Sequence, residues 1–157
     1  MSKQRTAVLV KPDGLQRGLI GEIIGRFERK GLKLVGMKML NMTDEQLSDW
    51  YVEHKDKTFF ADLKSFMGQK PIVAVVLEGI DVIKVVRGLV GTTLGREAEA
   101  GSIRGDFGMS QQNNIIHASA NEGDAVREIK IIFDDNEVFE YQSAQDMLIY
   151  SESELKA

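Results

Sequence analysis

The segment Pro71-Ile72-Val73-Ala74-Val75-Val76-Leu77 constrains the fold more than any other stretch of the chain. It is apolar and rich in β-branched residues, with no polar position to turn toward water, so it reads as a strand buried on both faces. Thr6-Ala7-Val8-Leu9-Val10 is a second run of the same kind and stops at Lys11-Pro12-Asp13-Gly14, where proline, aspartate and glycine mark a turn. Ile20, Ile23, Ile24 and Phe27 then fall at helical spacing, and Gly31 after Arg29-Lys30 provides a C-terminal stop. Leu32 to Leu40 reads as another strand, with a bulge marked by Gly36.

Behind that strand, Thr43-Asp44-Glu45-Gln46 has the form of a capping box, followed by Leu47, Trp50, Tyr51 and His54 at helical spacing. A short second helix carries Phe59, Phe60, Leu63, Phe66 and Met67, and Asp81 is placed to cap a helix with Val82, Val85, Val86 and Leu89 on one stripe. A long loop from Gly91 to Asn113 leads to the short strand Asn114–Ser119, and a last helix starting near Asn121 is expected to turn Val126, Ile129 and Phe133 inward. The acidic tail Ser151–Ala157 is expected to be frayed or held by a partner. With the helical hairpin set aside, two βαβ units follow each other. The expected fold is therefore α+β and ferredoxin-like, an antiparallel four-stranded sheet covered by helices, with the hairpin inserted and a long loop at the site.

A length of 157 residues suits one domain, residues 1–157, with a sizeable core. Hydrophobic residues at 43% and charged residues at 28% are ordinary for a globular chain, and no apolar run approaches the roughly 18 residues of a membrane span. Met1 to Thr6 runs directly into a strand-like segment without the features of a secretory signal, and although the absence of cysteine leaves the redox compartment undetermined, a cytoplasmic protein is expected. A net charge of -4 argues against general nucleic-acid binding but not against a small anion held by converging cations.

The chain has only two histidines, which narrows any imidazole chemistry to His54 and His117. His54 matches no motif and reads as a solvated helix residue. His117 ends a short apolar strand, and before it runs Gly101-Ser102-Ile103-Arg104-Gly105-Asp106-Phe107-Gly108, a glycine-punctuated segment with an arginine that suits a phosphate. Neither G-x-x-x-x-G-K-[ST] nor G-x-G-x-x-G occurs, so a nucleotide would be bound another way. Lys11 leaves the first strand, Arg87 lies late in a helix and Arg104 precedes the histidine strand, three places that a ferredoxin-like fold can bring together. Histidine and cations together point to phosphoryl transfer. An RNA-binding module of this topology would carry aromatic residues on its central strands, where Val8, Leu9, Val73, Val75 and Val76 stand instead.

From Thr6 to Tyr150 the chain resembles the nucleoside diphosphate kinase family. The resemblance is carried by Lys11-Pro12-Asp13-Gly14 with Gln16-Arg17-Gly18, Gly21-Glu22-Ile23-Ile24 with Arg26-Phe27-Glu28, Ser102-Ile103-Arg104-Gly105-Asp106-Phe107, and Asn114-Ile115-Ile116-His117, in that family's order and spacing. It implies transfer of the γ-phosphate of a nucleoside triphosphate to a nucleoside diphosphate, by a ping-pong route through a phosphohistidine at His117. By the same resemblance Glu128 supports the imidazole, Ser119 stands near the γ-phosphate and Tyr51 packs beside the ring. Lys11, Arg87 and Arg104 form the phosphate clamp with the Thr93 hydroxyl, Phe59 and Leu63 are the lips of the base site, and Asn114 and Lys11 reach the sugar. Mg²⁺ is expected to bridge the nucleotide's own phosphates, with no metal ligand from the protein. A homo-oligomer is implied, a hexamer with dimer or tetramer as alternatives, as is tolerance of every base.

The chain departs from the family's pattern at Ala118 and Ala120, where glycine and aspartate are usual, and at Gly95 and Ala100, where prolines are common. Asn121 is expected to supply the helix cap, and the missing prolines are expected to weaken assembly. The competing expectation is a catalytically weak oligomeric relative with a scaffold or regulatory role.

Overall fold

A computed structural model describes residues 3–156. In chain order the elements are β1 (Lys3–Val10), α1 (Pro12–Gln16), α2 (Ile20–Lys30), β2 (Lys33–Leu40), α3 (Asp44–Trp50), α4 (Phe60–Gly68), β3 (Ile72–Ile80), α5 (Val82–Val90), α6 (Ile103–Phe107), β4 (Ile116–Ala118), α7 (Glu122–Ile132), α8 (Asp146–Ile149) and α9 (Glu152–Lys156). The strands form one antiparallel sheet in the order β2-β3-β1-β4, so each βαβ unit steps over a neighbouring strand in the ferredoxin-like way.

The sheet is covered on both faces, which accounts for the apolar Pro71–Leu77 run. Val8, Val10, Val73, Val75 and Leu77 face Ile23 and Phe27 of α2 and Val82, Val86 and Val90 of α5. Ala7, Leu9, Ala74 and Val76 face Leu47 and Trp50 of α3, Met67 of α4 and Ile132 of α7. β4 pairs with β1 so that His117 stands opposite Leu9, which puts the imidazole on the second face, where α3 and α7 pack.

Local chemistry sets the element ends. The Thr43 hydroxyl accepts from the Gln46 N–H while the Gln46 side chain accepts from the Thr43 N–H, a complete capping box. Gly31 closes α2 at φ 93°, and the sheet register shifts between Leu34 and Gly36, as the glycine suggests. Asn121 accepts from the Asp124 N–H and caps α7.

Several expectations are corrected. Lys11-Pro12-Asp13-Gly14 opens the helix α1 rather than a simple turn, because proline at the first helical position has its φ preset and no N–H to lose. The Gly91–Asn113 stretch is not structureless: it holds a single 3₁₀ turn at Gly95–Glu97 and the helix α6, whose cap is the Ser102 hydroxyl accepting from the Gly105 N–H at 3.1 Å. Asp81 precedes α5 in the left-handed region at φ 52°, and its side chain makes no capping bond. On α7 the buried stripe is Ala125, Glu128 and Ile132, while Val126 is 51% exposed. Residues 152–156 of the tail are helical, with the Ser151 hydroxyl donating to Glu154 at 2.7 Å; Ala157 lies outside the described residues. Gly95 is no vacant proline position, since its N–H donates to the Ser110 carbonyl at 3.2 Å and a Cβ there would lie 2.6 Å from the Gly108 carbonyl oxygen.

Candidate active site

At the end of β1 the chain enters α1 through Lys11, whose ammonium is drawn under the 112–114 segment. It donates to the Asn114 Oδ1 at 2.7 Å and the Gln112 carbonyl at 3.1 Å. Burial, and then the nearby Arg104 charge, push this ammonium down to about 8. Arg104, on α6, donates to the Gly91 carbonyl at 2.9 Å and the Ile116 carbonyl at 2.7 Å, which fixes its guanidinium against both walls of the site. Burial and the charge of Arg87 lower it to about 10. Arg87, in the last turn of α5, is exposed and carries its charge to the same place. The three cations line one cleft of about 680 Å³, together with His117, Thr93 and Asn114.

His117 is held from behind. Its Nε2 lies 2.9 Å from Oε1 of Glu128, and Oε2 of Glu128 accepts from the Ser119 hydroxyl at 2.7 Å. Ser119 in turn accepts from the Ala7 N–H at 3.1 Å, so the chain of bonds ends on the β1 backbone. A buried carboxylate at Nε2 selects the tautomer with the proton on that nitrogen, which leaves Nδ1 with its lone pair. The edge-on ring of Trp50 stands 5.1 Å from the imidazole and limits its rotation. The site therefore pairs one oriented nucleophilic nitrogen with fixed positive charge, which suits attack on the phosphorus of an anionic phosphate group.

The cleft also has an apolar part. Phe59, just ahead of α4, and Leu63, one turn on, line it together, and the Leu63 N–H donates to the Phe59 carbonyl at 3.0 Å. All nine expected residues from Lys11 to His117, including Tyr51, Phe59 and Leu63, line the one cleft; Ser119 and Glu128 stand behind it. Ser119 is fully buried, so its contact is Glu128 and not a ligand in the cleft. The ring that stands edge-on to the imidazole is Trp50, while Tyr51 stacks on His54; the buried Tyr51 hydroxyl has no partner among the described residues, and burial with the Glu128 charge pushes its pKa up. The Asn114 amide is largely spent on the protein, donating to the Thr93 and Gln111 carbonyls at 2.8 Å each while accepting from Lys11.

His54 is not a solvated bystander. It lines the cleft with its ring 6.3 Å from Tyr51 and 5.5 Å from Phe59. Gln111 and Gln112 also line the cleft and went unnoticed in the sequence, where a polar loop before a strand carries no distinguishing signal. The spacing of His54 between Tyr51 and Phe59 was the one available cue.

The family model for nucleoside diphosphate kinase matches residues 4–138. The nucleoside diphosphate kinase of Staphylothermus marinus is 51% identical over 141 residues, covering 90% of this chain and 100% of the relative. A halophilic nucleoside diphosphate kinase from Halobacterium salinarum, solved in complex with CDP, superposes with a TM-score of 0.92 at 44% identity, over 95% of this chain and 99% of that one. A transition-state mimic of the Borrelia burgdorferi nucleoside diphosphate kinase, with bound vanadate and ADP, gives a TM-score of 0.85 at 41% identity, over 92% and 95% of the two chains. With half of its residues shared along nearly its whole length, this chain belongs to the nucleoside diphosphate kinase family.

Proposed function

We propose that the chain moves the γ-phosphate of a nucleoside triphosphate to a nucleoside diphosphate in two displacements at His117. The observation that carries this reading is the lock on Nε2 by Glu128, which leaves Nδ1 as the reactive nitrogen in a cleft bearing Lys11, Arg87 and Arg104. The Nδ1 lone pair forms a bond to the γ-phosphorus while the bond from phosphorus to the bridging oxygen breaks, and its electrons leave on the diphosphate. The ring, phosphorylated on Nδ1 and still protonated on Nε2, carries a positive charge that faces the Glu128 carboxylate. An oxygen of the acceptor diphosphate then attacks phosphorus, and the electrons of the N–P bond return to Nδ1.

Lys11, Arg87 and Arg104 neutralise the phosphates, with the Thr93 hydroxyl as an added donor. The base lies between Phe59 and Leu63, whose apolar contact is open to every base, while His54, Gln111 and Gln112 offer polar groups that tune preference modestly. The lining holds cations and amides but no carboxylate, and no group of three or more His, Cys, Asp or Glu among the described residues is arranged around a metal. That donor set fits Mg²⁺ arriving on the nucleotide's phosphates, where it supplies further charge neutralisation.

The two cores share one sheet, which supports treating residues 1–157 as a single catalytic domain. β2 is an edge strand whose start is covered by Phe139 and Tyr141 but which leaves Met37 and Met39 more than half exposed, and α8 presents Met147 and Leu148, surfaces that favour a homo-oligomer, a hexamer in our reading. No helix among the described residues is long and apolar enough to cross a membrane, and we place the enzyme in the cytoplasm. Incubation with Mg-ATP without acceptor should add one acid-labile phosphoryl group by intact mass, and His117→Ala should add none. A His117→Ala protein that still gains the group and transfers it would rule the mechanism out.

A further inference from the structure

We propose that Asp13 is a positioning residue for phosphoryl transfer, holding Ile115 in a left-handed turn that brings Asn114 and His117 onto one cleft. The proposal rests on the reading of His117 given above. In an extended strand, residues three apart point to opposite faces. Asn114 and His117 are three apart, yet both line the cleft. The mismatch is absorbed at Ile115, whose φ is 75°, and the Ile116 N–H reaches back to the Asn114 carbonyl at 2.8 Å. This is a γ-turn of the strained hand, and a β-branched residue rarely occupies it.

Such a conformation persists only where its surroundings hold it. Here the start of α1 does so from three directions. The Lys11 N–H donates to the Ile115 carbonyl at 2.8 Å, and the Ile115 N–H donates to the Asp13 Oδ2 at 2.9 Å. Gly14 lets the backbones close in, since a Cβ there would stand 2.9 Å from the Ile115 carbonyl oxygen. Of the three, only Asp13 acts through a side chain, and it does not line the cleft. It can therefore be changed without removing a ligand contact.

The test compares Asp13→Ala, Asp13→Asn and Asp13→Ala/Ile115→Gly with the parent in the rate of His117 phosphorylation by Mg-ATP and in steady-state kcat and KM. Asp13→Ala should lose roughly 10- to 100-fold in the phosphorylation rate, the scale of a small misplacement of a reacting group, with kcat falling by more than KM rises. Asp13→Asn keeps an oxygen for the Ile115 N–H and should stay within about threefold of the parent. Glycine enters the left-handed region without a clamp, so Ile115→Gly should restore part of the rate lost in Asp13→Ala. Loss in Asp13→Asn equal to that in Asp13→Ala would overturn the proposal, because the carboxylate's charge near Lys11 would then be what matters. An unimpaired Asp13→Ala, or a folded double variant with no recovery, would overturn it as well. Should the double variant fail to fold, the comparison of alanine with asparagine decides alone. Failure of the parent itself to phosphorylate His117 would instead defeat the reading of the site.

Discussion

Replacing Glu128 by glutamine should separate the charge behind His117 from the geometry. Glu128 is 3% exposed, accepts from His117 through Oε1 and from Ser119 through Oε2. The Ser119 hydroxyl also lies 3.2 Å from the Ala7 carbonyl, so it can turn its proton there and accept from a glutamine amide. The glutamine oxygen then faces Nε2 and the tautomer is kept. What is lost is the charge-assisted part of one hydrogen bond, about 1 to 1.5 kcal/mol by the usual difference between charged and neutral bonds. As the ring becomes cationic in transfer, its whole attraction to the carboxylate, taken as unit charges about 4 Å apart, is worth about 4 kcal/mol at an effective dielectric constant of 20, which sets the upper limit. The phosphorylation rate in Glu128→Gln should therefore fall by roughly 10- to 10³-fold. Rapid-quench measurement of phosphoenzyme formation reads it directly, with Ser119→Ala/Glu128→Gln losing more because the hydroxyl can no longer select the amide orientation. A Glu128→Gln enzyme within about twofold of the parent would refute the role assigned to the carboxylate.

Two further outcomes are expected. Burial holds the Lys11 ammonium down to about 8, so the free site sheds that charge as pH rises through this value; the KM for a nucleoside diphosphate should climb above about pH 8, and calorimetry in buffers of different ionisation enthalpy should show proton uptake on binding there. For stability the sign runs the other way: above pH 8 the unfolded chain binds more protons than the native one at this lysine, so its contribution to stability rises with pH up to the ordinary lysine range, and Lys11→Met should abolish both effects. At the loop, Ala100→Pro should raise the free energy of urea unfolding by about 0.4 to 1 kcal/mol per chain through the unfolded state, whereas Gly95→Pro should lower it, since it forfeits the N–H bond to Ser110 and meets the Gly108 backbone; a stabilising Gly95→Pro would contradict this account.

The central strand was legible because burial writes itself into composition: Ile72 to Leu77 has no polar residue to offer water, and the structure buries it between two helical layers. The Thr43 and Asn121 caps were legible for a related reason, because a side-chain oxygen three residues before an orphan N–H is a local device. What stayed hidden were features decided by contacts between distant segments. His54 looked solvated because nothing local says that the turn at 52–54 folds back over Phe59, and Val126 looked inward because a helical wheel gives spacing but not phase. The deepest omission was Ile115, where every local preference argues for extended backbone and the structure enforces φ 75°. A residue that contradicts its own propensity draws its conformation from elsewhere, here from Lys11, Asp13 and Gly14, about a hundred positions earlier in the chain. The motif Lys11-Pro12-Asp13-Gly14 and the motif Asn114-Ile115-Ile116-His117 are thus two halves of one structural unit. The first is needed in full because the second, left to its own backbone preferences, would point Asn114 and His117 to opposite sides of the sheet.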